Sequence, residues 1–524
     1  MVRVLIIAAV MACSSKSAPP APTAGSAAPT PVTVAPGPDV HVDRRAELVA
    51  IVFRLAGADE YADPKGTRYL LDVDATFAPF AKHPAIVATR ALVHDHHIGF
   101  EAPMELAIHL DDHLAVQGTL GERWQHVDVP AYAAQLRAFA ADAKFDAFFA
   151  AHHDYITAVE ERFRTALAKE NPGPWFADFF GGTATHFVVI PGLVQGPNNY
   201  GAHDDHAMYQ FMGLGFPPLD GLPTIDDGVI AIVVHEMAHS FINPVFDRHR
   251  AELVPIADPL FALVEPAMTA QHYGATQIML NESGVRAITT LYIRDRKGDA
   301  AAAAATRNEV RNGFIWTAEL AHVLATKKHV ALDAYMPKIV EFFAAQAKRY
   351  EHGLPPMPFL GPIDAVFGGD IAVVHPADAA VTKYATSIRD HFFRTAKLEL
   401  ASDRTFDDLP RVGLVAYGSP TSNPIIANVL QRAQIALTAT GLVLGSKHFD
   451  GAGVVLIACW PRGDDPSKGI LVYAAASDAD VVGINGLRAG STDWVVGQRT
   501  AAGTFQPLAS GDFPHAADGA WMLP

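Results

Sequence analysis

Val233-Val234-His235-Glu236-Met237-Ala238-His239 is an H-E-x-x-H motif set inside a strongly apolar run, and its reading decides the fold around it. Two residues four apart on an α-helix stand about 40° apart around the axis, so both imidazoles reach one metal ion from the same side. Glu236 projects beside them. A zinc ion with three protein ligands keeps its fourth position for water and lowers that water's pKa to about 7, and an adjacent carboxylate takes the proton as it attacks. The spacing predicts a zinc hydrolase site, with His235 and His239 as metal ligands, Glu236 as general base and one zinc ion per chain. Thr224-Ile225-Asp226-Asp227 reads as a helix start and Asn243-Pro244 as its stop. The competing reading is a buried helix whose histidines bond to neighbours and whose Glu236 forms an ion pair. A core helix rarely carries two histidines and a carboxylate unless they are paired, which favours the metal.

A third ligand must come from elsewhere. Ile242 and Val245 stand where the extended H-E-x-x-H-x-x-G-x-x-H pattern needs Gly and His, so that subclass is excluded. In Gln277-Ile278-Met279-Leu280-Asn281-Glu282-Ser283-Gly284-Val285-Arg286, a helix-like segment carries one carboxylate among apolar residues, and such a group is costly to bury unless paired or metal-bound. Glu282 is the expected ligand; the alternative is an ion pair between Glu282 and Arg286 one turn on.

These residues resemble the gluzincin group of metallopeptidases, in which H-E-x-x-H is followed by a glutamate ligand on a second helix. The resemblance implies that His235, His239 and Glu282 bind zinc, that Glu236 is the base, and that the substrate is a peptide or protein. More narrowly, the stretch from His41 to about Glu282 looks like an uncharacterised bacterial family with H-E-x-x-H, which lends no substrate. Many gluzincins place a carboxylate four residues after the glutamate ligand to orient a histidine, whereas Arg286 stands there in this chain. Another group must fill that role, with Asp247 and Glu265 as unranked candidates.

His186-Phe187-Val188-Val189-Ile190-Pro191 reads as a strand, followed by a turn-rich segment containing Pro197-Asn198-Asn199-Tyr200. In zincin-like proteins an edge strand beside the active-site helix pairs with extended substrate backbone, and this segment is read either as that strand or as an ordinary one. Tyr200, His206, Arg286 and Tyr292 form the shortlist of donors to a developing oxyanion. The clusters His94-Asp95-His96-His97 and His203-Asp204-Asp205-His206 hold metal-ligand residue types, but adjacent residues on extended or turn backbone point apart, so they read as polar loops. His249 lies beyond Pro244 and is a poorer ligand than Glu282.

The amino terminus reads as an export signal. Val10-Met11-Ala12-Cys13 looks like the lipobox of bacterial lipoproteins, which implies that Cys13 becomes a lipid-bearing terminus in the cell envelope. Residues 14–40 have the composition of a disordered tether, rich in Ala, Pro, Ser and Thr. No other stretch reads as a membrane span. Cys459 is the one other cysteine, so no internal disulfide is expected in the processed chain. The chain is 50% hydrophobic and 18% charged, enough to bury a core, and its net charge of -16 argues against nucleic acid as a partner. The oligomeric state is not legible. P-loop, dinucleotide and G-x-S-x-G signatures are absent.

The expected class is α+β, mainly helical: a zincin-like domain over 41–400, with its active-site region at 175–295 and helices at 298–400, then a small α/β module over 405–524. In that module Val412–Pro420, Val454–Ala458 and Ile470–Ala474 read as strands and Asn423–Arg432 as a helix. Two functions compete: an exported zinc metallopeptidase, and a non-catalytic surface lipoprotein that uses the same fold to bind a protein or polymer.

Overall fold

The computed structural model describes residues 38–61, 67–181, 186–196, 198–204, 207–214, 222–327, 329–401, 405–487, 492–516 and 521–522. The lipobox with Cys13, residues 14–37 of the tether, and His206 lie outside the described residues. The chain is α+β and mainly helical, and it divides into two compact units.

The first unit comprises described residues up to 293 together with 319–351. Helices fill its amino-terminal part, beginning with α1 (Arg44–Ala56), whose N-cap Asp43 accepts from the backbone N–H groups of Arg45 and Ala46. A four-stranded sheet of order β1-β2-β4-β3 accompanies them: β1 (Asp39–Val40) comes before α1, and β2 (Phe187–Gly192), β3 (Tyr200–His203) and β4 (Met208–Gly213) follow the helices. The apolar run Phe187-Val188-Val189-Ile190 makes β2 a strand buried on both faces, with β1 and β4 parallel to it on either side. β2 is therefore an interior strand, and the sheet's edges are β1 and β3, the latter antiparallel to β4 with burial that alternates along its length.

The motif helix is α3 (Asp227–Arg248), which follows α2 (His153–Glu170) in this description. Its N-cap is Asp226, whose side chain accepts from Gly228 and Val229 backbone N–H. The helix does not stop at Asn243-Pro244 but continues through Pro244 to Arg248. An internal proline costs about 3 kcal/mol, and complete burial of Ile242 and Phe246 on either side of it offsets that loss. Next come α4 (Arg250–Ala270) and α5 (Thr276–Lys297). Almost every residue of α5 from Thr276 to Tyr292 is buried, so it is a core helix. Helix α6 (Leu332–Arg349) packs against α4. α3 and α4 are long and apolar enough to cross a bilayer by length and composition alone, a test that core helices also pass, and half of the apolar window of α3 is buried within the protein.

The second unit comprises 294–318 and the described residues from 352 onward. Its core is a seven-stranded sheet, order β14-β13-β11-β12-β7-β5-β6. The strands are β5 (Ile371–His375), β6 (Lys397–Leu400), β7 (Gly413–Gly418), β11 (Val454–Pro461), β12 (Gly469–Ala475), β13 (Trp494–Arg499) and β14 (Phe505–Gly511). A small antiparallel sheet of β8 (Ala436–Thr438), β9 (Gly441–Leu444) and β10 (Lys447–Asp450) accompanies them. Helices α7 (Ala379–Phe392) and α8 (Pro424–Arg432) cover opposite faces: Val381 and Ala385 pack with Val373 and Val415, while Ile425 and Ile426 pack with Ala372 and Ala416. Because β5 and β6 precede residue 401, this sheet starts before the boundary expected near 405, and 298–400 is not wholly helical.

Candidate metal centre

One turn of α3 separates His235 from His239, and their Nε2 atoms lie 3.3 Å apart. Glu282, from α5, brings Oε2 to 3.6 Å from His235 Nε2 and Oε1 to 3.5 Å from His239 Nε2. Those N···O separations are long for hydrogen bonds. They suit two ligands of one ion, because bonds of about 2.0–2.1 Å in a tetrahedron put neighbouring donors about 3.4 Å apart. Glu282 is completely inaccessible, and its donor set of two imidazoles and one carboxylate is one that zinc takes. The ion pair weighed against it is also present: Arg286 Nε lies 3.3 Å from Glu282 Oε2. The carboxylate faces both the histidines and the guanidinium.

Electrostatics keeps the histidines in their ligand form. Burial, then His239 and Arg286, holds His235 well below the usual imidazole range, and burial lowers His239 to about 4 against the bond from Asn243. Both are neutral at neutral pH, as metal binding requires. Glu236 is pushed up to about 8, first by burial and then by the Glu282 charge, with Arg286 opposing. Both its oxygens are buried without a hydrogen-bond partner among the described residues. A divalent cation beside them would supply the missing positive charge, so the residues present fit such an ion.

Local packing explains why these side chains meet. A Cβ at Gly284 would stand 2.8 Å from Ile242 Cγ2 and 3.0 Å from Phe246 Cζ, so only glycine lets α5 lie this close to α3. Asp247 Oδ1 accepts from Gln277 Nε2 at 2.9 Å and Asn281 Nδ2 at 3.1 Å, tying the same two helices together. Asp247 therefore orients no histidine, and Glu265 is exposed on α4. The group that does is Asn243, whose Oδ1 lies 3.1 Å from His239 Nδ1 one turn along α3. The dipeptide read as a helix stop thus carries a histidine's partner.

The described residues of the oxyanion shortlist take different places. Tyr292 donates its hydroxyl to the Glu170 carbonyl at 2.8 Å, more than two turns along α5 from Glu282. Tyr200 points to the far side of the sheet, its ring 6.3 Å from Tyr61, because strand neighbours alternate and Gly201 is the residue that faces Glu236. Arg286 remains, and it donates to the Tyr273 hydroxyl at 3.1 Å. Tyr273, buried beside Arg286 and within the field of Glu282 and Glu236, was not legible in the sequence, since the turn His272-Tyr273-Gly274 carries no motif.

No other described histidine joins the group of His235, His239 and Glu282. His94, His96 and His97 are exposed, His203 is exposed at the end of β3, and His249 Nε2 lies 3.2 Å from Asp333. A cavity of about 670 Å³ lies between α2 and the first turn of α3, and none of the three donors lines it.

A family model described as a domain of unknown function, DUF4932, matches residues 39–343, a span that contains every residue of the centre. No curated protein and no solved structure matches the chain.

Proposed function

Because the chain belongs to the DUF4932 family, which lends it no chemistry, we propose from the site alone that it is a zinc-dependent peptidase of gluzincin type. The observation that carries this reading is the convergence of His235, His239 and Glu282 next to Glu236, whose buried oxygens have no hydrogen-bond partner among the described residues. His235, His239 and Glu282 would hold the ion. Zinc bound there supplies a Lewis acid and lowers the pKa of a water in its open position.

Everything else falls to the chain's own groups. Glu236, flanked by both histidines on α3, takes the proton of the attacking water and returns it to the leaving amine. Tyr273 and Arg286 stand on the Glu282 side, where a hydroxyl and a guanidinium stabilise negative charge on the carbonyl oxygen. As an edge strand of its sheet, β3 would pair with the backbone of an extended peptide, with Gly201 leaving room beside Glu236. Arg286 in place of the usual carboxylate makes this centre more positive than its gluzincin counterparts. Val10-Met11-Ala12-Cys13 supports export as a lipoprotein, which would place the activity in the cell envelope.

The test compares the parent with Glu236→Gln, both zinc-loaded, against a library of unstructured peptides. The expected result is about one zinc in each protein and a loss of cleavage of roughly 10²- to 10⁴-fold in the variant. Equal cleavage by the two would remove Glu236 as the base.

A further inference from the structure

Gln210 lies in the middle of β4, opposite Gly201 on β3 and Val189 on β2. Residues paired in this way direct their side chains to the same face. Two separate contacts show that this is the face covered by α3: the Phe187 ring lies 6.1 Å from that of Phe241, and a Cβ at Gly201 would lie 3.7 Å from Glu236 Oε2. The other positions that β2 and β4 present there are Phe187, Val189, Pro191, Met208 and Met212, all apolar.

Gln210 is only 1% exposed, and its Oε1 is buried with no hydrogen-bond partner among the described residues. Leaving such a group unmet is destabilising, and a methionine of nearly the same shape would remove that cost. Glu236, whose oxygens are likewise buried without a partner among the described residues, approaches Gly201 on this same face, so both groups lie on one side of the sheet with a glycine next to Gln210. Resting on the hydrolase reading, we propose that Gln210 is a positioning residue of this site: its carboxamide hydrogen-bonds the water that Glu236 deprotonates and fixes it from the sheet side. Val189 on β2 and Gly201 on β3, which flank Gln210, have no polar side chain to take that place.

The test is Gln210→Met in the full chain, read by three measurements. The metal-free variant should melt at or above the parent's temperature, because an unmet amide has been replaced by an apolar group of similar shape. It should bind one zinc. With the zinc-loaded protein and a cleaved peptide, kcat should fall by roughly three- to tenfold, the worth of one hydrogen bond, with KM within about twofold. Unchanged kcat overturns the proposal while leaving the peptidase reading intact if Glu236→Gln is dead. Misfolding, or melting several degrees lower, also overturns it, since the amide would then be serving the fold. Should the parent cleave nothing, the peptidase reading falls and the role given to Gln210 falls with it; stable melting would then show only that the amide is spare.

Discussion

Adding one methyl group at Gly284 should dismantle the metal centre without altering any of its donors. The new Cβ would meet Ile242 Cγ2 at 2.8 Å and Phe246 at 3.0 and 3.1 Å. Carbon pairs rest at roughly 3.5–4.0 Å, so relief requires about 0.7–1 Å of separation. Ile242 and Phe246 are wholly buried and have no open space to turn into, so α5 itself must shift away from α3. Glu282 would move with it, and its present distances of 3.5 and 3.6 Å from the imidazole nitrogens would grow accordingly. An ion with bonds of about 2.0–2.2 Å spans a tetrahedral edge of about 3.4 Å and at most about 4.4 Å with donors on opposite sides. Zinc affinity in Gly284→Ala should therefore fall on the order of a hundredfold or more, alongside an overpacking cost of about 1–3 kcal/mol. Competitive titration against a chromophoric chelator reads the first effect, and thermal melting the second. Trimming the obstacle in Ile242→Ala/Gly284→Ala should return part of the affinity. A stably folded Gly284→Ala protein with the parent's zinc affinity would refute the claim that this glycine sets the donor spacing.

Three further outcomes are expected. Asn243→Ala should weaken zinc binding by roughly 10- to 100-fold, because His239 loses the group that fixes its ring, while Asn243→Asp should keep it; equal affinity in the Ala variant would free Asn243 of that role. Tyr273→Phe should retain zinc and lower kcat by roughly a hundredfold, and an unchanged kcat would leave Arg286 as the sole candidate on that side. Glu47, buried where it accepts from the Leu193 N–H, is pushed up to about 8 mainly by burial. Its native form holds a proton that the unfolded chain has released above about pH 4.5, so stability should decline as pH rises towards 8. Glu47→Gln should flatten that decline in denaturation midpoints taken from about pH 5 to pH 9; parallel slopes would exclude Glu47 as its source.

What the sequence disclosed follows from where physics writes locally. The i, i+4 spacing of His235 and His239 and the lone carboxylate Glu282 in an apolar helix are short-range signals, and the structure brings all three together. Contributions that depend on tertiary contact were hidden. Asn243 looked like part of a helix stop because Pro244 is a breaker in isolation, yet burial on both sides carries α3 through it. Tyr273 sits in the turn before α5 with no pattern around it, and its contact with Arg286 on that helix exists only in the folded chain. The segment of β2 allowed both an edge strand and an ordinary one, and its continuous apolar run fits the second, a strand covered on both faces. The edge strand beside β4, β3, is four residues long and opens with a tyrosine facing the far side. Gln210 had one legible trace, a single polar residue among the apolar positions of β4, which becomes meaningful once Gly201 is placed beside it.

X-ray absorption at the zinc edge of the metal-loaded protein tests the central claim most directly. Two imidazole nitrogens and carboxylate or water oxygen at about 2.0–2.2 Å are predicted, with the histidine scattering retained and the binding weakened in Glu282→Gln. A zinc shell without two imidazoles, or one indifferent to Glu282→Gln, would contradict it.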